Sequence, residues 1–244
     1  MIRFPRWLFA ALSGVLFVVG CASEQPSQGS PPSDISVSPD PGLSTLAPEG
    51  SEALEAGTYV VDLDAGSPKD ERIPNIRVTV PDGWENFAGW GVIRGEGTDP
   101  LLGLTFWDVD EVYGHPCRWD GSRIQPGPTV ADLAKALGAQ PLRDATEPVD
   151  IVVDGYRGVQ LEWSVPDNID FSKCDVDDFR SWTGVLGSWG GSVRYQLGPG
   201  QADRLWILDV DGERLVIDGL YMPTADAKDR QELWRVMESI RFEG

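Results

Sequence analysis

The chain has 244 residues, with 39 acidic and 20 basic side chains and a formal net charge of −19 at pH 7. A surface of this charge repels phosphate backbones, which excludes a role in nucleic-acid binding. Apolar residues make up 41% of the chain, which is enough to build the core of one domain.

The N-terminus has the pattern of a secretory signal peptide. Arg3 and Arg6 precede an apolar run, residues 7–19, that ends before Gly20 and Cys21. The run has about 13 residues, whereas a membrane-spanning helix needs about 20, so we predict a cleaved signal rather than a permanent span. A small residue followed by cysteine resembles a lipobox. We therefore predict that residues 1–20 are removed and that Cys21 carries a lipid anchor; a secreted protein with a coincidental cysteine is the alternative.

Acyl chains on Cys21 would hold the mature protein at the extracytoplasmic face of a cell membrane. The segment that follows is rich in Ser and Pro and nearly devoid of bulky apolar residues, so we predict a disordered tether over residues 21–52. Such a tether spans roughly 30 Å. Residues 53–244 are then a single extracytoplasmic domain.

The predicted domain opens with short strands. Residues 58–61 form a β-type run, and Ile76–Val80 alternates strictly between apolar and polar side chains, as a half-buried strand does. Pro81-Asp82-Gly83 supplies a turn. Residues 101–109 form a further candidate strand.

Two helices are predicted. Thr129 and Asp132 have the spacing of a capping box, and the apolar positions that follow keep helical spacing until Gly138. The last helix is expected over residues 225–239, with Thr224 as its cap. Its buried stripe comprises Leu233, Val236, Met237 and Ile240.

Two β-hairpins are predicted between these helices. Asp154-Gly155 and Asp211-Gly212 each separate two strand-like runs, and Asp-Gly favours a type I′ turn. The hairpins cover residues 149–165 and 205–217. Because strands outnumber helices and do not alternate with them, the fold class is α+β, an antiparallel β-sheet with helices packed on it.

Short motifs carry a resemblance to known families. Val80-Pro81-Asp82-Gly83-Trp84 and Glu238-Ser239-Ile240-Arg241-Phe242 resemble the two ends of PsbP-like domains, a fold shared by the LpqN group of mycobacterial lipoproteins. Pro116-Cys117-Arg118-Trp119 and residues 200–212 resemble a family of actinobacterial exported lipoproteins of unknown activity. The first resemblance implies an antiparallel sheet covered by helices. Residues 171–192 depart from it as an insertion.

With Cys21 committed to lipid, Cys117 and Cys174 remain, and an exported protein most simply joins them in one disulfide. A loop of this size is stabilised by roughly 4 kcal/mol in the chain-entropy model. A zinc site is the alternative, but His115 is the only histidine.

Catalytic and metal-binding patterns are weak. No Gly-x-Ser-x-Gly motif is present, and His115, beside Cys117, is expected to pack rather than to act as a base. Asp175, Asp177 and Asp178, or Asp209 with Asp211, could gather a cation, but neither group has the spacing of a twelve-residue calcium loop. We predict no metal and no cofactor.

Ten tryptophans are the one compositional excess. Trp182 and Trp189 lie among several glycines, where they could form a stacking platform for a sugar or an apolar ligand; the alternative is a long loop pinned by its aromatic residues. Trp119 is a third candidate for ligand binding. Three tryptophans in predicted strands or in the last helix are expected in the core: Trp163, Trp206 and Trp234.

These observations favour a non-catalytic binding module at the extracytoplasmic face of the membrane, with a cell-envelope ligand such as a glycan, or a protein, as its partner. A glycan hydrolase is the first alternative, and it requires two carboxyl groups about 5 to 10 Å apart in a cleft. A carrier of lipid or another apolar molecule is the second, and it requires an apolar cavity.

Overall fold

A computed structural model describes residues 42–65, 73–119 and 123–243. The predicted signal peptide, Cys21 and the tether as far as residue 41 lie outside the described residues. No helix in the part described is long and apolar enough to cross a membrane.

The described residues form two α-helices and three β-sheets. The helices are α1 (Val130–Gly138) and α2 (Ala227–Glu238). The strands, in chain order, are β1 (Ser44–Thr45), β2 (Ala53–Leu54), β3 (Gly57–Val61), β4 (Ile76–Val80), β5 (Trp84–Asn86), β6 (Gly91–Arg94), β7 (Leu102–Trp107), β8 (Val109–Tyr113), β9 (Arg123–Ile124), β10 (Asp144–Ala145), β11 (Val149–Val153), β12 (Tyr156–Ser164), β13 (Phe179–Gly184), β14 (Val193–Gln196), β15 (Ala202–Val210), β16 (Glu213–Tyr221) and β17 (Arg241–Phe242).

The central sheet has the strand order β10-β12-β15-β16-β7-β6-β5-β2, and β11 pairs with β12 on the same side as β10. Its pairings are antiparallel. A smaller sheet of order β1-β3-β4-β17, here the terminal sheet, contains strands from both ends of the domain. A third of order β14-β13-β8-β9, here the side sheet, contains β13, which lies in the predicted insertion, and β14, which follows it. This arrangement confirms the predicted α+β class.

The two faces of the central sheet are covered by different layers. Because side chains alternate along a strand, Phe106 and Ile217 face the terminal sheet and α2, where they join a core with Met237. Trp107 and Val216 face the opposite way, toward α1 and the side sheet. Gly219 lets α2 approach β16, since a Cβ on this glycine would lie 2.3 Å from the Met237 sulfur.

Both predicted hairpins are present. The turn residues Asp154 and Gly155 have φ of 46° and 95°, and Asp211 and Gly212 have φ of 54° and 95°. Positive φ at both central positions is the signature of a type I′ turn, whose twist matches that of the flanking strands. The second hairpin is longer than predicted, because β15 and β16 pair over nine residues each.

The first helix begins and ends where the sequence predicts. The Thr129 hydroxyl accepts a hydrogen bond from the Asp132 amide, and the Asp132 carboxylate accepts one from the Thr129 amide. The predicted cap of the second helix is wrong: Asp226, not Thr224, caps α2, because its carboxylate accepts hydrogen bonds from the amides of Lys228 and Asp229. The sequence offers two capping residues in succession there, and the one that completes a capping box with Asp229 is used.

The folded domain begins before residue 52, where the tether was predicted to end. Ser44 and Thr45 pair in parallel with β3, and Leu46 is buried in the core beside the terminal sheet. The Asn86 side-chain amide also donates a hydrogen bond of 2.8 Å to the Ala47 carbonyl. The few apolar residues of this polar stretch gave little periodicity to detect, but the burial of Leu46 and the pairing of Ser44 and Thr45 bring residues 44–52 into the folded domain.

The Cys117–Cys174 disulfide is present, so that prediction is confirmed. Backbone hydrogen bonds hold the two cysteine loops together: the Asp175 amide donates to the Cys117 carbonyl at 3.0 Å, and the Arg180 amide donates to the Pro116 carbonyl at 2.9 Å. The disulfide therefore fixes the chain immediately before β13 against the end of β8.

Candidate functional site

An apolar groove lies between the central sheet and β14 of the side sheet. Its volume is about 410 Å³. Phe87 and Trp90 reach it from the turn between β5 and β6, whereas Tyr195 and Leu197 form the opposite wall and remain half exposed. Pockets that bind small molecules have volumes of roughly 300–1,000 Å³ and mostly apolar linings, so the groove has the size and character of a ligand site.

Five aromatic rings run from this groove into the core. The ring centroids of Phe87 and Trp90 are 4.8 Å apart, those of Trp90 and Trp107 are 5.0 Å apart, and those of Trp107 and Trp182 are 5.6 Å apart. All three pairs meet edge to face, and Trp182 then stacks on Trp163 at 6.0 Å. Each such pair contributes about 0.5–1.5 kcal/mol beyond burial, so the aromatic wall of the groove is rigidly supported.

The guanidinium of Arg143 packs against Trp163 at the inner end of this aromatic row. The Arg143 guanidinium lies 3.8 Å from the centroid of the Trp163 ring. Its Nε donates a hydrogen bond of 3.0 Å to the Gln140 side chain, and its Nη2 donates one of 2.6 Å to the Ser181 hydroxyl. Burial lowers the pKa of Arg143 to about 9.

A buried charge cluster lies beneath the wall formed by β14. The Arg194 Nε donates to the Asp218 carboxylate at 2.7 Å, and its Nη2 donates to the Asp203 carboxylate at 2.6 Å. The Gln201 side-chain amide donates a further bond of 3.0 Å to Asp203. Arg194 itself lines the groove, so the cluster fastens the groove wall to two strands of the central sheet.

The two carboxyl groups of this cluster differ from ordinary surface carboxylates. Burial, together with the charge of the neighbouring Asp203 and a hydrogen bond with it, raises the pKa of Asp218 to about 7 against the opposing charge of Arg194. One oxygen of each carboxyl group, Oδ1 of Asp218 and Oδ2 of Asp203, is buried without another hydrogen-bond partner.

The predicted tryptophan platform is not formed. Trp182 is fully buried in β13, which lies between β8 and β14, so its indole faces the central sheet rather than solvent. Trp189 is also buried, although it lines a second recess of about 230 Å³ on the other side of Trp90. The glycine-rich segment therefore borders the groove, but these two indoles do not share a surface.

Trp119 has a structural role beside the disulfide. Its indole N–H donates to the Asp175 carbonyl at 3.0 Å, and the Arg180 guanidinium lies 3.7 Å from its ring centroid. His115 closes the adjacent turn, since its Nδ1 accepts hydrogen bonds from the amides of Cys117 and Arg118. Both residues shape the disulfide loop and stand apart from the groove.

Of the three tryptophans predicted in the core, two are buried and one is only half buried. Trp163 and Trp206 are buried, which confirms the prediction for them. Trp234 is half buried on α2, with the Arg204 guanidinium 3.8 Å from its ring centroid.

The candidate cation ligands serve local contacts. Asp178 forms an ion pair of 2.8 Å with Arg180, and the Asp209 carboxylate accepts a hydrogen bond of 2.8 Å from the Gly212 amide in the hairpin turn. Across residues 42–65, 73–119 and 123–243, no group of three or more His, Cys, Asp or Glu side chains is placed to hold a metal ion.

The sequence interpretation missed the groove itself. Phe87 and Trp90 come from the turn between β5 and β6, whereas Tyr195 comes from β14, and no local pattern joins these segments. A signal for the charge cluster was available, because Asp203 and Asp218 share a strand face with buried apolar residues at alternate positions. A charged residue at such a position needs a buried partner.

No family model matches this chain, and no curated protein matches it. LpqN of Mycobacterium tuberculosis, a protein involved in cell envelope biogenesis, is a structural neighbour at 12% identity; the alignment covers 78% of this chain and 93% of LpqN, with a TM-score of 0.38. Cyanobacterial PsbP from Synechocystis aligns at 13% identity over 80% of this chain and 94% of its own, with a TM-score of 0.33. The predicted distant resemblance to these two groups is thus confirmed, and it concerns the fold alone.

Proposed function

We propose that this protein is a lipid-anchored, extracytoplasmic binding module whose groove takes a small, uncharged apolar ligand. The groove of about 410 Å³ carries the proposal, because its walls are chiefly aromatic and aliphatic. Aromatic rings of Phe87, Trp90 and Trp107 line one side, and Tyr195 and Leu197 line the other. Such a lining removes apolar surface from water without requiring hydrogen bonds from the ligand.

The proposed location rests on the N-terminal sequence. Residues 1–20 have the features of a signal peptide, and Cys21 follows a small residue as in a lipobox. The Cys117–Cys174 disulfide supports this proposal, since disulfides persist in oxidising compartments outside the cytoplasm. A lipid on Cys21 would place the domain near the membrane.

The groove favours binding over glycan hydrolysis. Among the residues that the structure describes, Glu96 is the one carboxylate that lines it, whereas hydrolysis by paired carboxylates needs two that flank the substrate. The buried pair Asp203 and Asp218 is engaged by Arg194 and lies beneath the groove wall. A glycan or a protein partner would also require more hydrogen-bonding groups than this lining presents.

The test is binding of N-phenyl-1-naphthylamine, an uncharged apolar dye, measured by its fluorescence. Leu197→Asn removes an apolar group from the groove wall, and Leu186→Asn is the matched control because Leu186 is 95% exposed and does not line the groove. Partial burial of a leucine is worth about 1 kcal/mol, so we expect roughly fivefold weaker binding for Leu197→Asn and no change for the control. Equal affinities of the two variants, or no binding to the unaltered protein, would contradict the proposal.

A further inference from the structure

The central sheet ends in an edge with an unpaired backbone. Within the described residues, β11 pairs with β12 on one side and with no strand on the other. Val149 and Val152 on this strand are 53% and 62% exposed. Natural edge strands are commonly protected by charged side chains, above all lysine, by proline or by a bulge; β11 contains one charged residue, Asp150, and no lysine, proline or bulge. The strand therefore offers free backbone donors and acceptors beside apolar side chains.

A recess lies directly beside this edge. It has a volume of about 260 Å³, and Ile151, Val153, Gln160 and Trp206 contribute to its lining. Val149, Ile151 and Val153 lie on one face of β11. Gln160 on β12 pairs with Val149, and Trp206 on β15 pairs with Gln160, so these two side chains lie on the same face of the sheet. A segment paired with β11 would direct every second side chain toward this face, where the recess can receive an apolar residue.

The edge strand and the residues before it carry a net negative charge, although Arg241 lies 4.0 Å from Asp154 at the recess. Residues 144–154 carry four carboxylates and no basic side chain. These residues are Asp144, Glu147, Asp150 and Asp154. An extended segment that pairs here would be attracted if it carried lysine or arginine at the positions that do not enter the recess.

We propose that the outer edge of β11 is a docking site for an extended, positively charged protein segment with apolar residues at alternate positions, which adds a strand to the central sheet. The chain's own residues 22–41 do not fit, because they contain acidic residues, several prolines and no basic residue. A second copy does not fit either, since each copy has a net charge of −19 and would bring its own acidic edge.

The probe is the capped peptide Lys-Val-Lys-Val-Lys-Val-Lys, mixed with the detergent-solubilised full chain and followed by calorimetry and amide hydrogen exchange. We expect binding together with slower exchange of the amides of residues 149–153. A control peptide of the same sequence with N-methylated valine amides keeps the charge and removes backbone donors. It should bind at least tenfold more weakly.

Two protein variants separate edge pairing from charge attraction. Val152→Lys adds a positive charge on β11, and Ile124→Lys adds the same charge on β9, the edge of the side sheet, where Ile124 is 47% exposed. We expect at least tenfold weaker peptide binding for Val152→Lys and less than a twofold change for Ile124→Lys.

Four results would overturn the proposal. The first is equal binding of the N-methylated peptide, which would indicate attraction by charge alone. The second is an equal effect of the two lysine variants, and the third is no binding at millimolar peptide. The fourth is protection of residues 149–153 that appears with increasing protein concentration in the absence of peptide, because it would make a second copy the occupant.

Discussion

Asp218 should make the stability of this protein fall as the pH rises from 5 to 7. The pKa of Asp218 is raised to about 7 in the folded state, against 3.8 for an unperturbed aspartate. Between these two values the folded state holds a proton that the unfolded state has released, so the free energy of unfolding decreases with rising pH. The raised pKa corresponds to about 4 kcal/mol over the whole range and to about 2 kcal/mol between pH 5 and pH 7.

The groups that face Asp218 make this window suitable. Arg194 and Arg143 stay charged throughout it, and the charge of Asp203 and its hydrogen bond with Asp218 favour the protonated form of Asp218. The pKa values of Asp132 and Asp229 are lowered by hydrogen bonds, from Thr129 and Arg94 respectively, and they affect stability only at more acidic pH. The decline between pH 5 and 7 can thus be assigned to the buried pair.

The assay is urea denaturation followed by tryptophan fluorescence at pH 5, 6, 7 and 8. Asp218→Asn keeps the shape and an acceptor for Arg194 but cannot release a proton, so its stability should be nearly constant over the window. Asp209→Asn, an exposed aspartate on β15, removes the same charge and should keep the unaltered decline. A flat or rising curve for the unaltered protein, or an equal slope in Asp218→Asn, would refute the assignment.

Three further outcomes follow from local structure. Replacing Cys117 and Cys174 together by serine should cost roughly 4 kcal/mol and lower the melting temperature by about 10 °C, measured by circular dichroism; an unchanged melt would refute a stabilising cross-link. Asp226→Ala should cost about 1 kcal/mol in urea denaturation and Thr224→Ala less, and the reverse order would contradict the observed cap. Globomycin should leave an uncleaved precursor, and Cys21→Ser should release the protein from the membrane fraction; normal processing and retention in both experiments would refute lipidation.

Elements determined by adjacent residues could be predicted from the sequence. The Asp154-Gly155 and Asp211-Gly212 turns need only two residues with positive φ, and the cap of α1 needs only Thr129 with Asp132. The predicted cap of α2 was wrong because Thr224 and Asp226 are both residue types that cap helices. Which of them is used depends on where the chain leaves β16, and that is set by tertiary packing.

The groove could not be predicted, because its parts come from distant segments. Trp182 is flanked by glycines a few residues away, which favoured a surface loop, but its place on the middle strand of β8, β13 and β14 buries it. Trp107 connects Trp182 to Trp90 and Phe87 in the aromatic row. The tryptophan content therefore predicted an aromatic binding surface, but it placed that surface at Trp182 and Trp189 instead of at the groove lined by Phe87 and Trp90.

The position of the charge cluster explains how the groove keeps its shape. A buried ion pair is rarely more stabilising than apolar residues of the same volume, so its main effect is to select one arrangement. Arg194 can meet both Asp203 and Asp218 only when β14 lies across β15 and β16 in a single register. That register places Tyr195 and Leu197 opposite the aromatic row. β14 is the last strand of the side sheet, and its outer side has no backbone pairing among the described residues. The two hydrogen bonds from Arg194 therefore hold this outer wall of the groove in place.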